Sequence, residues 1–137
     1  MPTASFVKIN AAIEPLFEAV NAGSDTWAVA LSAAAPANAA FTPGTTDLAT
    51  GGGYTQGGNS AAVSSATQSG GTYKLVLTSP TAWTASGGGF TFRYALLVNS
   101  TNNNVIGYWD YGSSQVVAAG ETVTVTLDGT NGVFQAT

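Results

Sequence analysis

The sequence predicts a mainly β domain, an antiparallel β-sandwich or jelly-roll-like barrel with one short N-terminal α-helix. Three observations lead there. Phe90, Phe92, Tyr94, Leu96 and Val98 alternate with Thr91, Arg93, Ala95, Leu97 and Asn99, the period of two that sends successive side chains to opposite faces of a strand. The segment Asn99–Asn104, NSTNNN, then supplies residues that hydrogen-bond their own backbone and tolerate a left-handed conformation, a hairpin loop into a second strand, VIGYWDY. Further short apolar runs, separated by Gly, Pro and Asn, recur through the chain after residue 26.

The length of 137 residues suits one domain, 1–137, able to bury a core without cross-links. The sequence has no cysteine and no histidine. That excludes disulfides, thiolate metal sites, and Ser-His-Asp or Cys-His nucleophile systems. Charged residues make up 7%, against about 25% in ordinary soluble domains, so Thr, Ser, Asn, Gly and Ala must cover the surface. Lys8, Lys74 and Arg93 are the only cations. Three scattered cations cannot neutralise a phosphate backbone or grip an anionic bilayer, so neither nucleic acid nor membrane is expected as a partner. No apolar run approaches the roughly 18 residues of a membrane span, and MPTASFVKIN lacks the core of a signal peptide, so synthesis in a cytoplasm is expected.

At the N-terminus, Phe6, Ile9, Ile13, Leu16, Phe17 and Val20 recur at helical spacing. Pro15 fits only the first turn of a helix, which places the helix over about residues 12–22 and leaves an arm over about 1–11. The arm packs on its own body or on another molecule. Thr26–Ser32, TWAVALS, reads as a strand. Ala33–Ser69 is a long loop anchored by Phe41, Leu48, Tyr54 and Val63, with a short extended piece over Phe41–Leu48 and a strand around Ala61–Ala66. Thr72–Thr78 puts Tyr73, Leu75 and Leu77 on one face and ends before Pro80. Trp83 sits on a short piece ahead of Gly87–Gly89.

In the strand that follows, strict alternation assigns Phe90, Phe92 and Tyr94 to the interior. Arg93 falls on the opposite face, placed to pair with Asp110 or with a partner's carboxylate. In VIGYWDY, Trp109 and Tyr111 share a face with Val105, and Tyr108 and Asp110 with Ile106. Ser114–Ala118 and Thr122–Leu127 read as two strands joined through Gly120, with Val123, Val125 and Leu127 inward. Asp128–Gly132, DGTNG, is a turn into a last strand, Val133–Ala136.

The chemistry open to these residues is narrow. A glycosidase needs two carboxyls about 5 to 10 Å apart, and of the seven acids only Asp110 lies in an aromatic-rich strand. DGTNG offers one carboxylate where calcium takes six to eight oxygens, roughly, with several charges. The glycine runs lack the lysine of a phosphate cradle. Asn99-Ser100-Thr101 matches the glycosylation sequon but reads as loop chemistry. No catalytic residue, cofactor or metal is therefore expected. The aromatic group Trp83, Tyr108, Trp109 and Tyr111 has three readings: core packing, subunit contact, or exposed rings that stack on a host glycan.

The order of features resembles a group of small structural proteins of tailed bacteriophages. The likeness runs through FVKINAAIEPLFEAVNAGSDTWAVALS, the loop GGGYTQGG, the strand WTASGGGFTFRYALLVN, and IGYWDYGSS before GETVTV, and so covers most of residues 6–137. It implies a non-enzymatic part of the virion, a capsid decoration (cement) protein on the major capsid protein, made in the bacterial host cytoplasm. It also implies a homo-oligomer, with a trimer favoured. A head-fibre, neck or tail component, or a displayed carbohydrate-binding and host-adhesion module, is the alternative. Under this resemblance the candidate capsid and subunit contacts are Phe6, Ile9, Ile13 and Phe17 of the arm and helix, Phe41 and Tyr54 of the long loop, and Arg93, Trp109 and Tyr111 of the sheet.

Overall fold

Through Trp27–Leu31 and Tyr94–Val98 the central strands carry apolar residues at every position, and that dictates a sheet covered on both sides. In the computed structural model, which describes residues 3–137 apart from the side chains of Pro15 and Phe17, they are β2 (Trp27–Ser32) and β7 (Phe90–Asn99). All six residues of β2 are buried. The strands around them are β1 (Phe6–Lys8), β3 (Asn59–Ser60) and β8 (Asn104–Val117), and the five-stranded sheet runs β1-β8-β7-β2-β3 with every pairing antiparallel.

A second layer closes one face. It consists of β4 (Val63–Ser69), β5 (Thr72–Leu77) and β10 (Phe134–Ala136), in the order β10-β5-β4, beside the small pair β6 (Trp83–Thr84) and β9 (Thr122–Val123). Leu75, Leu77, Trp83, Val123, Val125 and Leu127 from this layer pack with Val29, Leu31, Phe92, Ala95 and Leu97 of the large sheet. This is an antiparallel β-sandwich, as the alternation predicts. The opposite face of the large sheet carries a smaller cluster, Ala28, Ala30, Leu96, Val98 and Val105, roofed by Phe41 with Tyr94 and Tyr108 at its margin.

Two irregularities overturn the expected face assignments. Phe92 lies opposite Gln115 but Tyr94 lies opposite Asp110, so Arg93 alone faces residues 111–114 of β8. Across this bulge the parity changes: Phe92 belongs to the sandwich interior with Ala95 and Leu97, whereas Tyr94 turns to the other face with Leu96 and Val98. The pairing also shifts between Leu97 and Val98, where Ile106 is the extra residue of β8. Trp109 and Tyr111 therefore share a face with Ile106, and Tyr108 with Val105, the reverse of strict alternation.

Several boundaries also differ. The helix expected over 12–22 is a 3-10 turn, Asn10–Ala12, followed by a six-residue helical segment, α1 (Ile13–Glu18), with Pro15 in its first turn. Ser114–Ala118 is no separate strand but the end of β8, and only Thr122–Val123 of Thr122–Leu127 pairs. Phe41–Leu48 is a series of turns instead of an extended piece.

That turn series is held by one buried carboxylate. Asp47, 6% exposed, accepts hydrogen bonds from the Gly44 and Gly57 N–H groups, each at 2.6 Å, and from the Tyr54 hydroxyl at 2.6 Å. The Tyr54 oxygen in turn accepts the Leu31 N–H at 3.0 Å, which ties the loop to β2. Burial, and then the bond to Asp47, push the Tyr54 phenol far above its ordinary value, so it stays a donor. Gly58, at φ +72°, runs so close to the Val29 carbonyl that no Cβ fits between them.

Tyr54→Phe leaves the Leu31 N–H without a partner and the buried Asp47 Oδ2 with the Gly57 N–H alone, and should cost about 1–3 kcal/mol of stability with an unchanged urea m-value. Urea unfolding of the two proteins checks this.

The turn at 128–132 supplies a pH test. The Asp128 carboxylate accepts the Asn131 and Thr130 N–H groups and the Asn131 amide, which hold its pKa below the ordinary carboxylate range. A carboxyl depressed in the folded state stabilises fully above its unfolded value, and that contribution is lost as pH falls through the folded one. Asp128→Asn should therefore lower Tm at neutral pH, and the gap to the parent should close as pH drops below the ordinary carboxylate range. Paired thermal melts across that range measure it.

Candidate functional site

The N-terminal segment is part of the body. β1 pairs antiparallel with β8 in the register Phe6↔Trp109, Val7↔Tyr108 and Lys8↔Gly107, and the Ile9 N–H donates to the Ile106 carbonyl at 3.2 Å. The fit depends on Gly107. The Phe6 ring lies directly over its Cα, where any Cβ would meet the ring, and rests against Trp109 with centroids 4.9 Å apart and planes at 57°. The chain then turns through Asn10–Ala12 into α1, and Ala12 reaches the sandwich interior.

This path leaves an apolar groove of about 360 Å³ at one end of the sandwich. Phe6, Ile9, Ile13 and Leu16 form one wall, and Tyr73 of β5 with Phe134 of β10 the other. Among the described residues, Lys8, Gln135 and the Tyr73 hydroxyl are its polar side-chain groups. Ile13, 40% exposed, and Val7 stand at the surface as two of the few large apolar residues there among the described residues.

The remaining candidates lie elsewhere. Phe41 is buried as the roof of the smaller cluster, and Tyr54 is buried with its hydroxyl committed to Asp47. Neither offers a contact surface, because the long loop turns its aromatic anchors inward. Arg93 pairs with Asp110 of its own chain through two bonds, Nε to Oδ1 at 2.8 Å and Nη2 to Oδ2 at 3.0 Å, and lies 5.1 Å from the Tyr94 ring centre. The Arg93 bonds, and then the Gly112 N–H, hold the Asp110 carboxyl below its ordinary range, while Asp110 raises the guanidinium. With the Arg93 side chain 37% exposed, water screens this pair and its net worth is small. The Phe17 side chain lies outside the described ones.

Trp109 and Tyr111 are half-buried and pack on the interior cluster, Tyr111 edge-on to Phe92 with centroids 5.5 Å apart; burial raises the Tyr111 phenol. Trp83 is 3% exposed and stacks on Tyr54, so it forms no open ring platform. Asn99 of the sequon is 0% exposed and donates its amide to Asp25 at 2.8 Å, which seals it from modification in the folded protein. Sequence reasoning did not single out Tyr73, Phe134 and Ile106 as groove residues. Only the pairing of β10 on β5 brings the first two to this end, and no local pattern encodes that pairing. No family model, no curated protein and no solved structure matches the chain.

Gly107→Ala forces the Phe6 ring off β8. Amide hydrogen exchange should then lose protection across Phe6–Lys8 while β2 and β7 keep theirs. Equal loss in all three would show that β1 is not a separable unit.

Proposed function

We propose that the chain is a non-enzymatic structural protein of a tailed-bacteriophage virion, a capsid decoration (cement) protein that binds the major capsid protein and stabilises the head. Its groove carries this reading. Phe6, Ile9, Ile13 and Leu16 gather at one end of the sandwich with Ile13 exposed, a surface suited to receive an apolar segment of a neighbour. The resemblance to small virion proteins agrees with it, as does a surface poor in charge.

Decoration acts through repetition. A contact the size of this groove is modest by itself, but a homo-oligomer, a trimer in the favoured arrangement, multiplies it by engaging several capsid copies at once. The body supplies rigidity for this: β1 is hydrogen-bonded to β8, so the groove wall is set before any partner arrives and little ordering entropy remains to oppose binding.

Ile13→Asp is the direct test, since an exposed side chain is changed and the fold is spared. Co-sedimentation with phage heads stripped of the protein should show the variant binding at least about tenfold more weakly, the effect of burying an unpaired charge in an apolar contact. Saturation of heads at the parent's affinity would mean that the groove is not the capsid contact. Electron microscopy of gold-labelled protein on particles separates head from neck, tail and fibre.

A further inference from the structure

A second cleft, of about 250 Å³, opens where Thr3 and Ala4 pass alongside β8 and the segment 124–126. Its walls are Trp109 and Tyr111 with the hydroxyl side chains of Thr3, Thr124 and Thr126, and Val125 at the back. Thr124 and Thr126 are exposed, and no hydrogen bond among the described residues engages their hydroxyls, the Tyr111 hydroxyl or the Trp109 indole N–H. Among the described residues, none of the lining side chains is charged.

We propose that this cleft binds a neutral saccharide, with one sugar ring against Trp109 and Tyr111 and its hydroxyls bonded to Thr124, Thr126 and the Tyr111 oxygen. A pyranose has an apolar C–H face and a rim of hydroxyls that both donate and accept, which is what two aromatic rings beside several free hydroxyls complement. The other ligand classes fit worse. An aliphatic group would desolvate the threonine and tyrosine hydroxyls without replacing their hydrogen bonds with water. An acidic or basic ligand would find no counter-charge in the walls. The volume lies below the roughly 300–1,000 Å³ of sites for larger ligands, so one or two rings are held, not an extended chain.

This cleft shares no lining residue with the apolar groove, and its occupancy does not require the capsid reading. The molecule carries its own reporter, because Trp27 and Trp83 are buried and Trp109 is the tryptophan that lines this cleft.

Titration of the full chain with glucose, galactose, mannose and N-acetylglucosamine, followed by tryptophan emission and by amide NMR shifts, tests the proposal. At least one of these sugars should bind with a Kd in the millimolar range, shifting Trp109 and residues 124–126 together. The exposed double variant Thr124→Val, Thr126→Val should weaken that sugar about tenfold or more, as expected for two lost neutral hydrogen bonds, with an unchanged thermal melt. Trp109→Phe should abolish the emission change while keeping weakened NMR shifts. No response to any of the four sugars up to about 100 mM, well past the affinity a single ring supports, overturns the proposal. Equal binding by the double variant, or tighter binding of glucuronate than of glucose, overturns it as well.

Discussion

A sheet whose central strands are apolar on both faces has to be roofed twice, and most of this molecule is arranged to meet that need. β2 and β7 send Val29, Leu31, Ala95 and Leu97 to one side and Ala28, Ala30, Leu96 and Val98 to the other. The first side receives a second layer of strands. The second receives no sheet, only the loop between β2 and β3, whose Phe41 covers the small cluster. A loop used as a roof buries its own backbone polar groups, and these must find partners within the protein. The chain does so by lending them to neighbours: Phe41 N–H to the Asn103 carbonyl, the Ala39 carbonyl to Val105 N–H, and Leu48 N–H to the Leu31 carbonyl. Asp47 collects two further N–H groups and the Tyr54 hydroxyl, so one carboxylate fixes both ends of the turn series. The segment is low in complexity yet ordered, because its few large side chains are placed where the sheet needs cover.

The strands were legible because period-two alternation reflects burial directly, and TWAVALS and FTFRYALLVN leave little choice. Their faces were not. Parity holds only while every residue of one strand meets one residue of its neighbour, and β8 carries additional residues at two places. One such place is at Ile106 and the other at 111–114, where Gly112 takes φ +81°. The extra residue at Ile106 reverses the faces of β8 beyond it, so Trp109 and Tyr111 join Ile106 on the interior side; opposite 111–114 it is β7 that changes parity, at Arg93, so Phe90 and Phe92 face the interior and Tyr94 does not. A glycine and two serines within an aromatic strand, YGSS, were the available sign of the second bulge. The first is marked only by Gly107, which directly follows Ile106. Helical spacing from Phe6 to Val20 was similarly genuine as burial and misleading as structure, since a strand, a 3-10 turn and one short helical segment present the same apolar side.

The candidate site divides along the same line. Phe6, Ile9 and Ile13 were identifiable because their neighbours in sequence are also their neighbours on the surface. Phe41 and Tyr54 point inward, a direction that an isolated aromatic in a loop of Ala, Gly and Thr does not reveal. The buried acid that decides the matter, Asp47, lies seven residues from Tyr54 and looks in sequence like any turn aspartate. Tyr73 and Phe134 lie on strands whose pairing no local pattern specifies.

The two openings of the molecule share a partition, and this gives the N-terminal segment a role beyond completing a sheet edge. Phe6 lines the apolar groove, Trp109 lines the polar cleft, and the two rings touch. Three residues of edge strand hold Phe6 there, a short ladder that gains its strength from the ring seated over Gly107 instead of from backbone bonds alone. Any contact that draws β1 outward from the groove side must slide Phe6 along Trp109 and uncover part of the indole. Any ligand that packs on Trp109 stiffens the surface against which Phe6 rests. Were both openings to bind ligands, this aromatic contact would link them, and by thermodynamic reciprocity each ligand would change the affinity for the other by the same factor.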